Sequence, residues 1–158
     1  MNALSAVMSK KLLIESDRQM IELGKKLALN FQAGDLVVLD GVVGAGKTTL
    51  TKGIAVGLGI TEVITSPTFV ISRVHSSTST KPDLVHVDAY RLGVITELDS
   101  LDLESSIDDS ITVVEWGAGL IEGLTAESWL IKIARDVIAD SEIREVEIFA
   151  PLNRSLVL

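Results

Sequence analysis

Residues 41–48 read GVVGAGKT, which is a complete Gly-x-x-x-x-Gly-Lys-Thr phosphate-binding loop. The apolar residues 36–39 precede this loop and the helix-compatible residues 48–58 follow it, so the motif has the strand–loop–helix context that it requires. Glycines allow backbone N–H groups to turn toward one point, and the start of the following helix adds unpaired N–H groups and a partial positive charge. The stretch therefore predicts a site for the phosphates of a nucleoside triphosphate.

Lys47 and Thr48 supply the two side chains that such a loop uses. The ammonium group of Lys47 is expected to face the β- and γ-phosphates, and the hydroxyl of Thr48 is expected to bind Mg²⁺. Mg²⁺ also takes one or two carboxylates, and ligands of α/β sheets bind at the carboxyl ends of the strands. Asp88 and Glu115 each end an apolar run and are candidates for the metal side of the site. Asp40 ends the apolar run directly before the loop and is expected to hold the loop by hydrogen bonds.

The rest of the chain alternates between strand and helix patterns. Ser16 and Gln19 form a capping box that predicts a helix over residues 17–30. Further helices are predicted over 48–58 and 96–106, strands over 36–40, 61–65, 69–74, 84–88 and 111–115, and a terminal hairpin from 129–133 and 143–149. This order predicts an α/β, P-loop NTPase-like three-layer fold with a mostly parallel central sheet and antiparallel C-terminal additions. Residues 1–158 are predicted to form a single nucleotide-binding domain, with residues 1–11 disordered.

Composition limits the classes of protein that fit. The chain has 158 residues, enough for one domain, and its 47% hydrophobic residues suit a parallel sheet that is covered on both faces. It lacks cysteine, which excludes disulfides and thiolate metal sites and suits a cytoplasmic protein. No apolar stretch of the sequence reaches the ~18 residues of a membrane span. The formal net charge of −8 argues against strong direct binding of nucleic acid by this chain alone.

Four features each allow a structural and a functional interpretation. The acidic stretch within residues 99–109 is either a solvated helix face or a docking surface for a basic partner. Residues 66–68 (SPT) form either a turn or a switch loop in which Thr68 senses the γ-phosphate or its metal. His86 is either a packed, hydrogen-bonded strand residue or a base. Trp116 either packs at the end of a strand or has a function, as a gate over the nucleotide or as a contact with a partner.

Several classes of phosphate-loop protein can be compared with this chain. It has neither the Asn-Lys-x-Asp segment nor the Asp-x-x-Gly switch that GTPases use, so ATP is the expected nucleotide. Small-molecule kinases surround the transferred phosphate with arginines, whereas the arginines here are few and no Arg-rich lid is present in the sequence. An ATPase is therefore favoured. A nucleotide-responsive binding module with incidental hydrolysis and a small-molecule kinase remain as alternatives.

An ordered set of short motifs resembles one family in particular. The motifs are ELG at 22–24, GAGKTT at 44–49, SPTF at 66–69, HVDAYRL at 86–92 and VEW at 114–116. In this order they are similar to the bacterial tRNA threonylcarbamoyladenosine biosynthesis family TsaE (also called YjeE) of P-loop ATPases. The resemblance spans residues 14–149 and implies a weak Mg²⁺-dependent ATPase that acts with the proteins TsaD and TsaB in tRNA modification.

The resemblance also implies roles for individual residues. Thr48 and Glu115 would bind Mg²⁺, and Asp88 would assist in positioning the metal or a water molecule. Lys47, Asp88 and Glu115 would then form the catalytic set. The residues that would bind ATP are Asp17, Gly44, Ala45, Gly46, Lys47, Thr48, Thr49 and Arg144.

Overall fold

The computed structural model describes residues 9–65, 72–88, 108–115, 128–136, 138–139 and 141–158. Its elements in chain order are β1 (Ser9–Ile14), α1 (Asp17–Ala28), β2 (Leu36–Asp40), α2 (Lys47–Gly57), β3 (Ser72–His75), β4 (Asp83–Asp88), β5 (Ser110–Glu115), β6 (Trp129–Arg135) and β7 (Arg144–Phe149). The predicted α/β class is confirmed.

The strands of the described residues form one seven-stranded sheet in the order β1-β7-β6-β2-β5-β4-β3. The four central strands β6, β2, β5 and β4 are parallel to one another. The antiparallel pairs are β6–β7, β1–β7 and β3–β4, so the predicted C-terminal hairpin is present and both edges of the sheet are antiparallel. The phosphate-binding loop follows β2, a central strand with parallel neighbours on both sides.

The first helix begins as its capping box predicts. The Ser16 hydroxyl accepts a hydrogen bond from the Gln19 backbone N–H at 3.2 Å, and the Gln19 side chain accepts one from the Glu15 N–H at 2.7 Å. Met20, Leu23 and other apolar residues of α1 face inward. They join α2 in a single core with residues of the sheet such as Val37, Leu39, Ile111 and Val113. Both described helices therefore pack on one face of the sheet.

Two glycines allow α1 and α2 to pack backbone against backbone. A methyl group at Gly24 would lie 2.6 Å from the backbone carbonyl oxygen of Leu50, and one at Gly53 would lie 2.3 Å from that of Ile21. Such distances are far shorter than ordinary van der Waals contact. The close approach holds α2, which carries Lys47 and Thr48 at its start, against α1.

A buried ionic network joins the start of β2 to the C-terminal tail. Both carboxylate oxygens of the buried Asp35 accept hydrogen bonds from the Arg154 guanidinium, at 2.9 and 3.0 Å. The Trp129 indole N–H and the Gln32 backbone N–H donate to the same carboxylate at 3.3 and 2.9 Å. Arg154 also donates to the Asn30 carbonyl oxygen, so this network satisfies the buried charge from several directions.

The structure departs from the predicted elements in a few places. Residues 61–65 form no strand; Val63 is exposed and no strand of the described part of the chain pairs with it. Helix α1 ends at Ala28, before residue 30. Ser9 to Lys11 lie in β1, so the expectation of disorder is wrong for them: their backbone pairs with β7, although their side chains are exposed. The predicted helix over 96–106 and the extended segment over 69–71 lie outside the described residues.

Candidate functional site

The phosphate-binding loop turns sharply between β2 and α2. Gly44 and Gly46 have φ values of 79° and 110°, in the left-handed region that side-chain-bearing residues rarely adopt. Gly46 is the N-cap residue of α2, and no described side chain caps this end of the helix. The backbone N–H groups at the start of α2 can therefore bind a ligand, and the helix dipole favours an anionic one.

Arg144 supports the backbone of this loop from strand β7. Its Nε donates to the carbonyl oxygen of Ala45 at 2.9 Å, and its Nη2 donates to that of Gly44 at 3.5 Å. Its Nη1 donates to the Ser141 carbonyl oxygen at 2.7 Å, which orients the guanidinium group. The sequence predicts that Asp40 holds the loop by hydrogen bonds, and this prediction is wrong. Asp40 forms no hydrogen bond with the loop residues 41–48, all of which the structure describes.

Lys47 lies half-buried at the centre of the site. Its ammonium group donates to the carbonyl oxygens of Gly41 and Val42, the latter at 3.1 Å. Burial lowers the pKa of Lys47 below its ordinary value of 10.5, and the carboxylates of Glu115, Asp40 and Asp88 partly oppose this shift. All three carboxylates that end apolar strands therefore act on the same ammonium group.

The strand register explains why these carboxylates converge. Asp88 pairs with Glu115 at the ends of the parallel strands β4 and β5. Glu115 in turn pairs with Leu39 of β2, so Asp40 lies one residue further along the same edge. The site thus occupies the carboxyl edge of the parallel strands, as the sequence predicted from the position of the carboxylates.

Three described side chains lie within hydrogen-bond distance of the Glu115 carboxylate. Glu115 is 4% exposed, and its Oε2 accepts a hydrogen bond from the Thr48 hydroxyl at 3.1 Å. Its Oε1 lies 3.2 Å from the Thr51 hydroxyl and 2.8 Å from His86 Nε2. The Thr51 hydroxyl also lies 2.9 Å from the carbonyl oxygen of Lys47. The two residues expected to bind the metal, Thr48 and Glu115, are therefore in direct contact.

The donor set at this position suits Mg²⁺. Thr48 and Glu115 offer a hydroxyl and a carboxylate, and Mg²⁺ prefers oxygen ligands and usually takes one or two carboxylates together with phosphate oxygens and water. No group of three or more His, Asp or Glu side chains able to hold a metal occurs among the described residues. The arrangement is thus suited to a metal ion that shares its coordination with a bound triphosphate.

Other predicted residues contribute less directly. Asp17 is exposed on the first turn of α1, and its side chain forms no hydrogen bond or ion pair with the described residues. The same helix turn approaches the loop, because a methyl group at Gly46 would come within 3.2 Å of Met20 Cε. Thr49 is half-buried in the first turn of α2. Residues 66–69 and Trp116 lie outside the described residues.

Two contacts of the site were not predicted from the sequence. Thr51 reaches Glu115 because it lies one helical turn after Lys47 and Thr48, a spacing that could have indicated it. Arg135 lies at the loop, since a methyl group at Gly44 would come within 3.2 Å of its Nη1. Arg135 pairs in register with Arg144 across the hairpin, so two guanidinium groups flank the loop. The sequence alone does not reveal this register.

The helices of the described residues were compared with the length and hydropathy of a membrane span. No helix there is long and apolar enough to cross a membrane.

The loop after a parallel strand, the helix that follows it and the carboxylates on neighbouring strands define a P-loop NTPase fold. The chain is similar to the crystal structure of YdiB from Bacillus subtilis, with a TM-score of 0.73 and 31% sequence identity. This match covers 93% of the chain and 88% of YdiB.

Sequence comparison identifies the family within this class. The family model of threonylcarbamoyl adenosine biosynthesis protein TsaE matches residues 14–144. The TsaE protein of Streptomyces coelicolor is 54% identical over 132 residues, which cover 82% of this chain and 88% of the relative. The TsaE protein of Bacillus subtilis is 39% identical, over 84% of this chain and 80% of the relative. The chain belongs to the TsaE family.

Proposed function

We propose that this protein binds ATP together with Mg²⁺, hydrolyses the ATP slowly and is an accessory component of threonylcarbamoyladenosine synthesis in tRNA. The contact between Thr48 and Glu115, beside Lys47 at the uncapped start of α2, is the observation that carries the nucleotide-binding part. The role in tRNA modification is supported by family membership, because the relatives are named for the biosynthesis of tRNA threonylcarbamoyladenosine.

Each residue of the site has a distinct task in this proposal. The backbone N–H groups of Gly44 to Thr49 hold the phosphates, and the Lys47 ammonium group offsets their charge. Thr48 and Glu115 hold Mg²⁺, which would neutralise charge on the phosphates when bound. Asp88, opposite Glu115 in the sheet, orients a water molecule or the metal shell. Arg144 keeps the loop in shape through Ala45 and Gly44, beside the nucleotide.

The acidic surface suggests how the protein takes part in tRNA modification. A chain with a formal net charge of −8 is not suited to bind a polyanion on its own, so the tRNA is held by other proteins. By family resemblance these partners are TsaD and TsaB, and the protein acts in the cytoplasm. The nucleotide then controls or drives a step of the assembly rather than the chemistry on the tRNA.

Calorimetry with purified protein tests the nucleotide site. Lys47→Ala should weaken ATP binding by about 10- to 100-fold, the loss expected for a hydrogen bond to a charged group worth ~1.5–3 kcal/mol. ATP should bind more tightly than GTP. Near-equal affinities for ATP and GTP would contradict the assignment of the base, and an unchanged affinity in Lys47→Ala would contradict the site.

A comparison of two carboxylate variants tests the metal assignment. Glu115→Gln should lose the Mg²⁺ dependence of hydrolysis, because it replaces the carboxylate that contacts Thr48 with an uncharged amide. Asp88→Asn should slow hydrolysis but retain the Mg²⁺ dependence. If the two variants behave in the opposite way, the metal is held by Asp88 instead.

A pull-down with and without ATP tests the assembly. Recovery of TsaD and TsaB with the tagged protein supports the proposal, whereas transfer of the γ-phosphate to a small molecule would support a kinase. Nucleotide-dependent partner binding by a hydrolysis-deficient variant would support a binding module. Tight binding of tRNA by the isolated protein at physiological salt would refute the charge argument.

A further inference from the structure

A buried histidine lies directly behind the proposed metal ligand. His86 is 0% exposed in strand β4, two residues before Asp88 and therefore on the same face of the sheet. Its Nε2 lies 2.8 Å from Oε1 of Glu115 on the neighbouring strand. Because an ionised carboxylate only accepts hydrogen bonds, the Nε2 proton is donated to Glu115.

The two oxygens of Glu115 have different partners. Oε1 lies within hydrogen-bond distance of both His86 and Thr51, which come from strand β4 and helix α2. Oε2 contacts the hydroxyl of Thr48, the other proposed metal ligand. The carboxylate is thus held at one oxygen, while the second oxygen faces the position where the proposed function requires Mg²⁺.

We infer that His86 is a positioning residue, which fixes Glu115 through Oε1 so that Oε2 remains directed at the metal. This inference rests on the proposed function, because it concerns the same Mg²⁺ site. Groups that hydrogen-bond to a metal-binding carboxylate orient it, and their loss typically weakens metal binding by about 10- to 100-fold.

The surroundings of His86 argue against a role in packing alone. Its neighbour on the same face, Leu84, is apolar and fully buried, as is typical of a strand covered by helices. An imidazole at such a position carries a desolvation cost that an apolar side chain avoids. Nδ1 of His86 has no hydrogen-bond partner among the described residues. Within these residues, the His86 ring therefore forms its hydrogen bond with Glu115 alone.

The second histidine of the chain provides a matched control. His75 is also buried in an edge strand and its Nδ1 lies 2.7 Å from Oε2 of Glu62, away from the phosphate loop. His75→Leu therefore removes a buried histidine and its contact with a glutamate, here one whose side chain is 55% exposed, without touching the proposed metal site. Circular dichroism spectra and unfolding curves establish that each variant is folded.

The experiment measures metal binding rather than turnover. Mn²⁺, a paramagnetic probe for the Mg²⁺ site, is titrated into the protein with a non-hydrolysable ATP analogue, and free Mn²⁺ is followed by electron paramagnetic resonance. Affinity for the same analogue is measured separately in EDTA. His86→Leu should weaken Mn²⁺ binding about 10- to 100-fold and leave the affinity in EDTA unchanged.

Further variants make the result decisive. His86→Gln, whose amide can donate to Oε1, should restore most of the Mn²⁺ affinity, and His75→Leu should bind Mn²⁺ like the wild type. His86→Met also removes the donor to Oε1 and should weaken Mn²⁺ binding in the same assay, which keeps the inference testable if His86→Leu does not fold. Wild-type Mn²⁺ affinity in His86→Leu, or in His86→Met if His86→Leu does not fold, would overturn the inference.

Failure of the inference can be distinguished from failure of the proposed function. If the wild-type protein binds the nucleotide equally well with and without metal, the proposed Mg²⁺ site is wrong and the role of His86 falls with it. If the wild type shows metal-dependent binding that His86→Leu retains, only the role of His86 is wrong.

Discussion

The packing of α1 against α2 predicts that Gly53→Ala destabilises the protein. Alanine is the better helix former and would stabilise an isolated α2 by about 1 kcal/mol relative to glycine. In this structure, however, the added methyl group would lie 2.3 Å from the backbone carbonyl oxygen of Ile21 and 2.9 Å from the Ile21 Cα. These are backbone atoms of a packed helix, so no side-chain rotation relieves the overlap.

The magnitude follows from the displacement that the methyl group requires. Moving from 2.3 Å to the 3.4 Å at which ordinary contact begins requires the helices to separate locally by about 1 Å. Overpacking of this kind costs ~1–3 kcal/mol, and the upper end applies because backbone must move. After the gain in helix propensity is subtracted, the net loss is about 2 kcal/mol, which lowers the Tm by about 4–8 °C in a chain of this size.

Thermal and urea unfolding followed by circular dichroism measure this loss. Val56→Ala is the control, because Val56 lies on the same helix and is 52% exposed, so its truncation should have little effect on Tm. A Tm for Gly53→Ala equal to or above that of the wild type would contradict the predicted overlap, since helix propensity would then outweigh it.

Three further predictions concern the ionic groups. Arg154→Ala leaves the buried Asp35 carboxylate without its cation, so it should lower the free energy of unfolding in urea by about 2–3 kcal/mol. This loss is somewhat smaller than for a fully buried ion pair, because Arg154 is partly exposed. Lys11→Ala, which breaks an exposed ion pair, should cost less than about 1 kcal/mol, and equal losses in the two variants would contradict this account. Arg144→Lys should weaken ATP binding about 10-fold in calorimetry, because an ammonium group lacks the planar fork whose three nitrogens reach the carbonyl oxygens of Ala45, Ser141 and Gly44 at once. Full ATP affinity in this variant would rule out the supporting role of Arg144. Because burial lowers the pKa of Lys47, the folded state binds fewer protons than the unfolded state between the folded pKa and 10.5, so the contribution of Lys47 to stability rises with pH there. The free energy of unfolding of Lys47→Met, relative to the wild type, should accordingly be greatest near neutral pH and decline as the pH approaches 10.5. Urea unfolding that gives the same difference in free energy at every pH would contradict this prediction.

Elements whose signals are local were predictable from the sequence. The capping box at Ser16 places the start of α1, and the apolar run before the glycines places β2. The sequence also predicted that three carboxylates lie together at one edge of the sheet, because the carboxyl ends of parallel strands meet there. These carboxylates are Asp40, Asp88 and Glu115.

Elements that depend on distant partners were not predictable. Strand β1 has mostly exposed residues and no alternating pattern, and it exists because its backbone pairs with β7, far along the chain. Residues 61–65 show the opposite case, because their composition predicts a strand but no strand of the described structure pairs with them. Backbone hydrogen bonds between strands decide both cases, and the local pattern does not record them.

The phosphate-binding loop and the ordered motifs that resemble the TsaE family can be identified from the amino-acid sequence alone. From the residues alone, Asp88 and Glu115 were equivalent candidates for the metal. The tertiary structure brings Thr48 to Glu115, 67 residues away, and places His86 and Thr51 at its other oxygen. The physical reason is that strand order and register, which depend on packing across the whole sheet, decide which side chains share the site.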